Sequence, residues 1–154
     1  MNPIKDQKVY IIYLPSDSRR VSAVRDLVLK QGCQVRHQAV TTSASEVERF
    51  QKEILLPQIE WTDVVVVLIS VTTKNDPVIA WAVQCALSLG KRVVGIWDED
   101  ETDGTVPGVL DDYANAVVPP DPALVLDAVG GGLDGIRGPE GKSRIDRVIE
   151  RHDC

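Results

Sequence analysis

Two adjacent arginines, Arg19 and Arg20, follow an apolar run that ends in Tyr13, with Pro15, Ser16 and Asp17 in between. A polar loop with paired guanidinium groups can hold a phosphate through charge-assisted hydrogen bonds. The same residues can also form a solvated first helical turn, and chemistry alone leaves both readings open. A second polar stretch, Ser70 to Asp76, follows the six apolar residues Val64 to Ile69. A third, acidic at its end, runs from Trp97 to Asp103. In an open α/β sheet, ligands bind outside the carboxyl ends of the strands, near the point where strand order reverses. A site is therefore expected on these three segments. Tyr13 and Ser70 close strands and lean towards function, and Trp97 fits either a site or the core.

Residue types remove several alternatives. No phosphate-binding glycine loop of either the Walker or the dinucleotide type follows the first strand, so both of those phosphate cradles are missing. Gly130, Gly131 and Gly132 follow a helix pattern and read as a linker. A phospho-acceptor receiver would need an acidic pair after strand one and an aspartate closing the central strand; here Asp17 stands alone and that strand ends in Ser70. The two histidines, His37 and His152, lie in an early strand and in the tail, which suits a surface or packing role better than a catalytic triad. Cys33, Cys85 and Cys154 are widely spaced with no CxxC pair. No zinc site or disulfide framework is expected from them, and Cys85 reads as an inert buried thiol.

The elements that must position these residues alternate along the chain. Lys8 to Leu14 reads as a first strand, and Val21, Val24, Leu27 and Val28 mark a helix that stops at Gly32. Cys33 to Val40 reads as a second strand. Ser43 and Ser45 are candidate caps for an amphipathic helix carrying Val47, Phe50, Ile54 and Leu55 on one face and ending at Pro57. The run Val64 to Ile69 lacks alternation, as expected of a strand covered on both faces. Asp76 and Pro77 open a further helix that ends before Gly90. Arg92 to Trp97 and Ala116 to Val118 are the last strands, and Pro122 to Val129 is the last helix. The expectation is a flavodoxin-like, doubly wound α/β fold with a mainly parallel five-stranded sheet flanked by helices. Residues 1–130 would form this domain, and 131–154 a glycine-rich linker and tail.

Composition is consistent with that. Of 154 residues, 44% are hydrophobic and 26% charged, close to globular averages. The net charge of −6 argues against nucleic acid as a partner. The polar N-terminus lacks the apolar core of a secretory signal, and the longest apolar run is too short to cross a bilayer. A cytoplasmic location and no membrane partner are expected. The C-terminal cysteine is misplaced for prenylation. The tail is expected to be either disordered or a segment that adds a strand to a neighbouring subunit or partner.

The order of Val9, Tyr10, Ile11, Ile12, Tyr13, Pro15, Ser16, Asp17, Ser18, Arg19 and Arg20, then Leu68, Ile69, Ser70, Thr72 and Thr73, then Trp81, Ala86, Leu87, Gly90, Lys91, Val94, Gly95 and Ile96, resembles the bacterial TIR-like family. It is most like the branch of Thoeris anti-phage sensors, over roughly residues 8 to 130. The resemblance implies NAD as substrate, with no separate cofactor, and cleavage of the nicotinamide–ribose bond to an ADP-ribose-derived signal. It also implies substrate-binding roles for Tyr13, Ser16, Asp17, Arg19, Ser70, Trp81 and Trp97. Trp81 fits core packing equally well.

One position departs from the pattern. The family's catalytic glutamate follows the helix tryptophan, and that place is Ala82. A methyl group can neither hold ribose hydroxyls nor steady an oxocarbenium-like charge, so the chain as it stands is expected to be inactive. Either it is a natural pseudoenzyme, or a glutamate has been replaced by Ala82; the otherwise intact pattern favours the replacement. Implied partners are NAD or an NAD-derived nucleotide, further copies of the chain in a homo-oligomer, and a phage-derived trigger protein. Two rival functions share the architecture. One is a non-catalytic TIR-like sensor or adaptor working by assembly, and the other is an enzyme like the nucleoside deoxyribosyltransferases.

Overall fold

The valine-rich run Val64–Ile69 forms β3, and all six of its side chains are buried, as its lack of alternation requires. The computed structural model describes residues 6–40, 46–70, 73, 76–98 and 106–137. Before β3 come β1 (Lys8–Tyr13), a 3-10 turn (Pro15–Arg20), α1 (Val21–Leu29), β2 (Gln34–Ala39), α2 (Val47–Arg49), a π-helical stretch (Phe50–Leu55) and α3 (Leu56–Trp61). After it come α4 (Pro77–Ser88), β4 (Arg92–Trp97), α5 (Gly108–Tyr113), β5 (Ala116–Val118), α6 (Pro122–Gly130) and β6 (Gly135–Ile136).

The sheet order is β2-β1-β3-β4-β5-β6, and every pairing is parallel. The fold is the flavodoxin-like α/β class. The direction of strand addition reverses between β1 and β3, which makes their carboxyl ends the switch point. Two apolar layers sandwich the sheet. Val9, Ile11, Tyr13, Val66, Leu68, Val94 and Ile96 pack with residues of α1 and α6. Tyr10, Ile12, Val65, Val67, Ile69, Val93 and Trp97 pack with residues of α3, α4 and α5. The alternation of neighbours between the layers is the period of two of a pleated strand.

Three expectations need correction. The sheet has six strands, because the glycine-rich stretch after α6 returns to the sheet. Gly131 takes a left-handed φ of 87° to end α6, and Gly135 one of 102°, conformations that suit residues without a Cβ. Distant side chains then anchor the stretch. Arg92 donates to Leu133 O at 2.7 Å and Trp97 Nε1 to Arg137 O at 2.7 Å. The linker expected from residue 131 thus contains a strand up to Ile136, and residues 138–154 lie outside the described part. Second, the helix does not end at Pro57. Pro57 sits in the first turn of α3, directly after the π-helical stretch, and the helical backbone continues through it to Trp61. Third, Ile54 is 42% exposed, because the wider π-helical turns rotate it away from the face that holds Leu55. The expected caps Ser43 and Ser45 are outside the described residues.

Opening α4, Asp76 Oδ1 accepts from the backbone N–H groups of Val78 and Ile79, both at 2.9 Å. That is the N-cap the sequence implied. At the centre of β4, a Cβ on Gly95 would lie 2.8 Å from Ile69 Cδ1 and 3.3 Å from Leu110 Cδ1. Both atoms end flexible side chains, so they can shift at modest cost. Gly95→Ala is expected to lower stability by about 1 kcal/mol. Urea denaturation showing no loss would mean that β3 and α5 have unfilled room there.

Candidate functional site

At the switch point, the turn after β1 bonds directly to the residue that ends β3. Ser70 Oγ donates to Asp17 Oδ2 at 2.8 Å. The carboxylate is enclosed: Asp17 is 3% exposed and, among the described residues, shares the class of buried polar side chains with Thr62 and Thr73. Asp17 reaches this place because its turn is helical from Pro15 onward, with the Asp17 amide donating to Leu14 O at 2.8 Å. Pro15 favours that start, since its φ is already set for a helical turn.

Arg20 completes the arrangement from one helical turn further on. Its Nη1 donates to Ile69 O at 2.9 Å, and its Nη2 donates to Ile96 O at 3.1 Å. Nη1 also lies 3.4 Å from Asp17 Oδ1. One guanidinium group thus joins the turn after β1 to the ends of β3 and β4. Thr73 supports Ser70 from the other side. The Ser70 amide donates to Thr73 Oγ1 at 3.0 Å, the two hydroxyls lie 3.2 Å apart, and Thr73 Oγ1 donates to Leu68 O at 3.3 Å. The result is a polar patch of fixed geometry set on apolar strand ends. Its carboxylate is neutralised by a cation, and its hydroxyls are held in place.

The structure brings Asp17 and Ser70 together and separates the other candidates. Ser16 and Arg19 are exposed on the same turn. Tyr13 is buried on the α1 side, where its hydroxyl pairs with His37 Nδ1 at 3.1 Å. Trp97 is fully buried in the opposite layer, and its indole N–H is engaged by Arg137 O. Trp81 is half-buried against that same layer. Ala82 is 0% exposed and belongs to the apolar cluster that contains Ile79, Val83, Ala86 and Leu110. Burial pushes the thiols of Cys33 and Cys85 up, and Glu60 adds to the effect at Cys85. Neither is a ready thiolate.

Sequence reasoning placed Arg20 only as one of two equivalent phosphate ligands. A signal for its actual role was present: it lies three residues after Asp17 in a helical turn, where side chains share a face. Thr73 lies within the polar stretch Ser70 to Asp76, and nothing in its local sequence marks it as the partner of Ser70. Most of the segments 70–76 and 97–103 lies outside the described residues, so the patch is defined by Asp17, Arg20, Ser70 and Thr73.

Among the described residues, no helix is long and apolar enough to cross a membrane. A crystal structure of a 3-dehydroquinate dehydratase-like protein from Bifidobacterium longum is similar to this chain, with a TM-score of 0.54 and 17% sequence identity over 81% of this chain and 96% of that one. At that identity the likeness is one of fold. No curated protein matches the chain. The family described as Thoeris protein ThsB, TIR-like domain, matches residues 10–103. That span begins in β1, takes in the whole Asp17, Arg20, Ser70 and Thr73 patch, and passes the end of β4. It covers more than half of the sequence, and the chain therefore belongs to the Thoeris ThsB TIR-like family.

Proposed function

We propose that this chain is a TIR-like protein of Thoeris-type anti-phage defence that takes NAD, or a nucleotide derived from it, at the carboxyl ends of β1, β3 and β4. The hydrogen bond between Asp17 and Ser70 across the switch point carries this reading, because it sets polar groups of fixed orientation where the fold places ligands. A sugar and a phosphate both suit a surface built from hydroxyls and a nearby guanidinium, and Arg19 is exposed on the same turn. In this reading the family's chemistry is breakage of the nicotinamide–ribose bond, for which a carboxylate must face the ribose.

The packing of Ala82 favours a second element of the proposal. A methyl group enclosed among apolar side chains is well suited to its place, which supports a natural alanine over an exchanged glutamate. The chain then acts as a nucleotide-binding sensor that binds without turnover. Calorimetry with NAD and with ADP-ribose is expected to give saturable binding to the unaltered chain, weakened by Ser70→Ala roughly tenfold, the scale of one lost hydrogen bond to a charged or polar ligand group. Chromatography of the same mixtures is expected to show intact NAD. Absence of saturable binding by either nucleotide would remove the proposal. Release of nicotinamide by the unaltered chain would remove the sensor element alone.

A further inference from the structure

A cavity lies away from the strand-end patch, at the β2 edge of the described sheet. It has a volume of about 340 Å³ and is lined by Tyr10, Val35, Arg36, His37, Gln38 and Gln58. The volume lies within the range of small-molecule sites. Its floor holds an unusual group. Tyr10 is 1% exposed, and its buried hydroxyl has no hydrogen-bond partner among the described residues. Buried hydroxyls are nearly always paired. Burial, and secondarily Tyr13, raise its pKa far above the ordinary tyrosine range, so the group keeps its proton and stays a donor.

The rest of the lining is also rich in donors. Arg36 Nη1 donates to Gln58 Oε1 at 2.8 Å. Because arginine can only donate, the amide oxygen must face Arg36, which leaves the Gln58 NH₂ directed elsewhere. Trp61 backs the guanidinium, with Arg36 Cζ 4.1 Å from the ring centroid, and Lys8 Nζ lies 5.8 Å from the same ring. The stacked ring fixes the guanidinium plane while leaving its other N–H groups unobstructed by the stack. The backbone contributes as well. Gln34 gives its N–H inward to Gln7 O, just before β1, and Val40 gives its own to Tyr13 O. By strand alternation, those of Val35 and His37 point away from β1, and β2 is the outermost strand among the described residues. Among the described residues, no Asp or Glu lines the cavity.

We propose that this cavity is a binding site for a small organic anion, whose carboxylate or phosphate oxygens are taken by Arg36, Gln58 and the Tyr10 hydroxyl. The chain's net charge of −6 does not oppose this, because exposed charges more than about 8–10 Å away are screened at physiological salt. The ligand supplies the acceptor that Tyr10 lacks. Arg36 is exposed and Gln58 half-exposed, so a rotamer change in either is available to admit an oxygen to the buried hydroxyl.

The full chain, ¹⁵N-labelled, is titrated with inorganic phosphate, with ribose 5-phosphate and with succinate, following the amides of Val35 to Gln38. Saturable shifts with either phosphate compound, or with succinate, support the site and say which kind of anion it takes. Arg36→Met is expected to weaken binding roughly tenfold, as loss of a charge-assisted pair does. Tyr10→Phe is expected to weaken it by a factor of about three while melting at the same or higher temperature than the unaltered chain, since the orphaned hydroxyl is gone. Ser70→Ala, in the separate strand-end patch, is expected to leave the affinity unchanged. No saturable shift with any of the three probes overturns the proposal. So does an affinity that Arg36→Met or Tyr10→Phe leaves unaltered.

Discussion

Arg20→Met is expected to destabilise the chain by about 3 kcal/mol, a loss comparable to breaking a buried ion pair from one side. Methionine keeps most of the apolar stem, so lost packing contributes little. What disappears is the guanidinium, whose side chain is 13% exposed and whose donors serve Ile69 O, Ile96 O and Asp17. Ile69 O retains the Asp98 amide at 3.1 Å. Asp17 fares worse. Its side chain is 4% exposed, and without Arg20 it is a buried carboxylate held by the Ser70 hydroxyl alone among the partners described above. The cost therefore resides mainly in an uncompensated charge, and this makes a sharper prediction. Adding Asp17→Asn to Arg20→Met is expected to restore at least about 1 kcal/mol, giving a coupling energy well outside the error of additive sites. Urea denaturation of the two single variants and the double variant measures it. An Arg20→Met midpoint equal to that of the unaltered chain would show that the strand ends and Asp17 do not depend on the guanidinium.

This arrangement also explains what could and could not be read from the residues. The opening of α4 was legible because a cap is local: Asp76, Pro77 and the following N–H groups are contiguous in the chain. The central strand was legible because six apolar residues in a row fit few other environments. β6 was not, because glycines at 130–132 and 135 report only conformational freedom. Its anchors, Arg92 and Trp97, lie some 40 residues away in sequence. At the strand ends, the sequence puts Asp17 and Ser70 on neighbouring segments but says nothing of their bond. Arg19 and Arg20 have identical chemistry, and only the phase of the 3-10 turn decides that one faces solvent and the other the strand ends. Trp97 could have been placed by parity. It shares a strand face with Val93, so its side chain enters the α4 layer although its backbone ends a strand.

Ala82→Glu is expected to cost about 4 kcal/mol or more, and its outcome bears on what this family member does. Ala82 lies on the inner face of α4, fully buried, with Val78, Ile79, Val83 and Ala86 of its own helix in the same apolar cluster as Ile69, Trp97 and Leu110. Glutamate adds a longer side chain to a close-packed layer, at about 1–3 kcal/mol for overpacking. An unpaired buried carboxylate adds several more unless it is protonated. Against a typical domain stability of about 5–15 kcal/mol, such a loss leaves a marginal fold. Ala82→Gly, which tests only helix propensity and a small void, is expected to cost about 1–2 kcal/mol. Thermal melts of the two variants decide between two physical situations. A large gap between the glutamate and glycine variants means that residue 82 is a packing position in this chain, as the proposed binding without turnover requires. An Ala82→Glu variant that melts like the unaltered chain would mean that the new carboxylate escapes the apolar layer towards the strand ends. Nicotinamide release from NAD by that variant would then identify the missing side chain as the sole barrier to catalysis, and the packing argument for a natural alanine would fail.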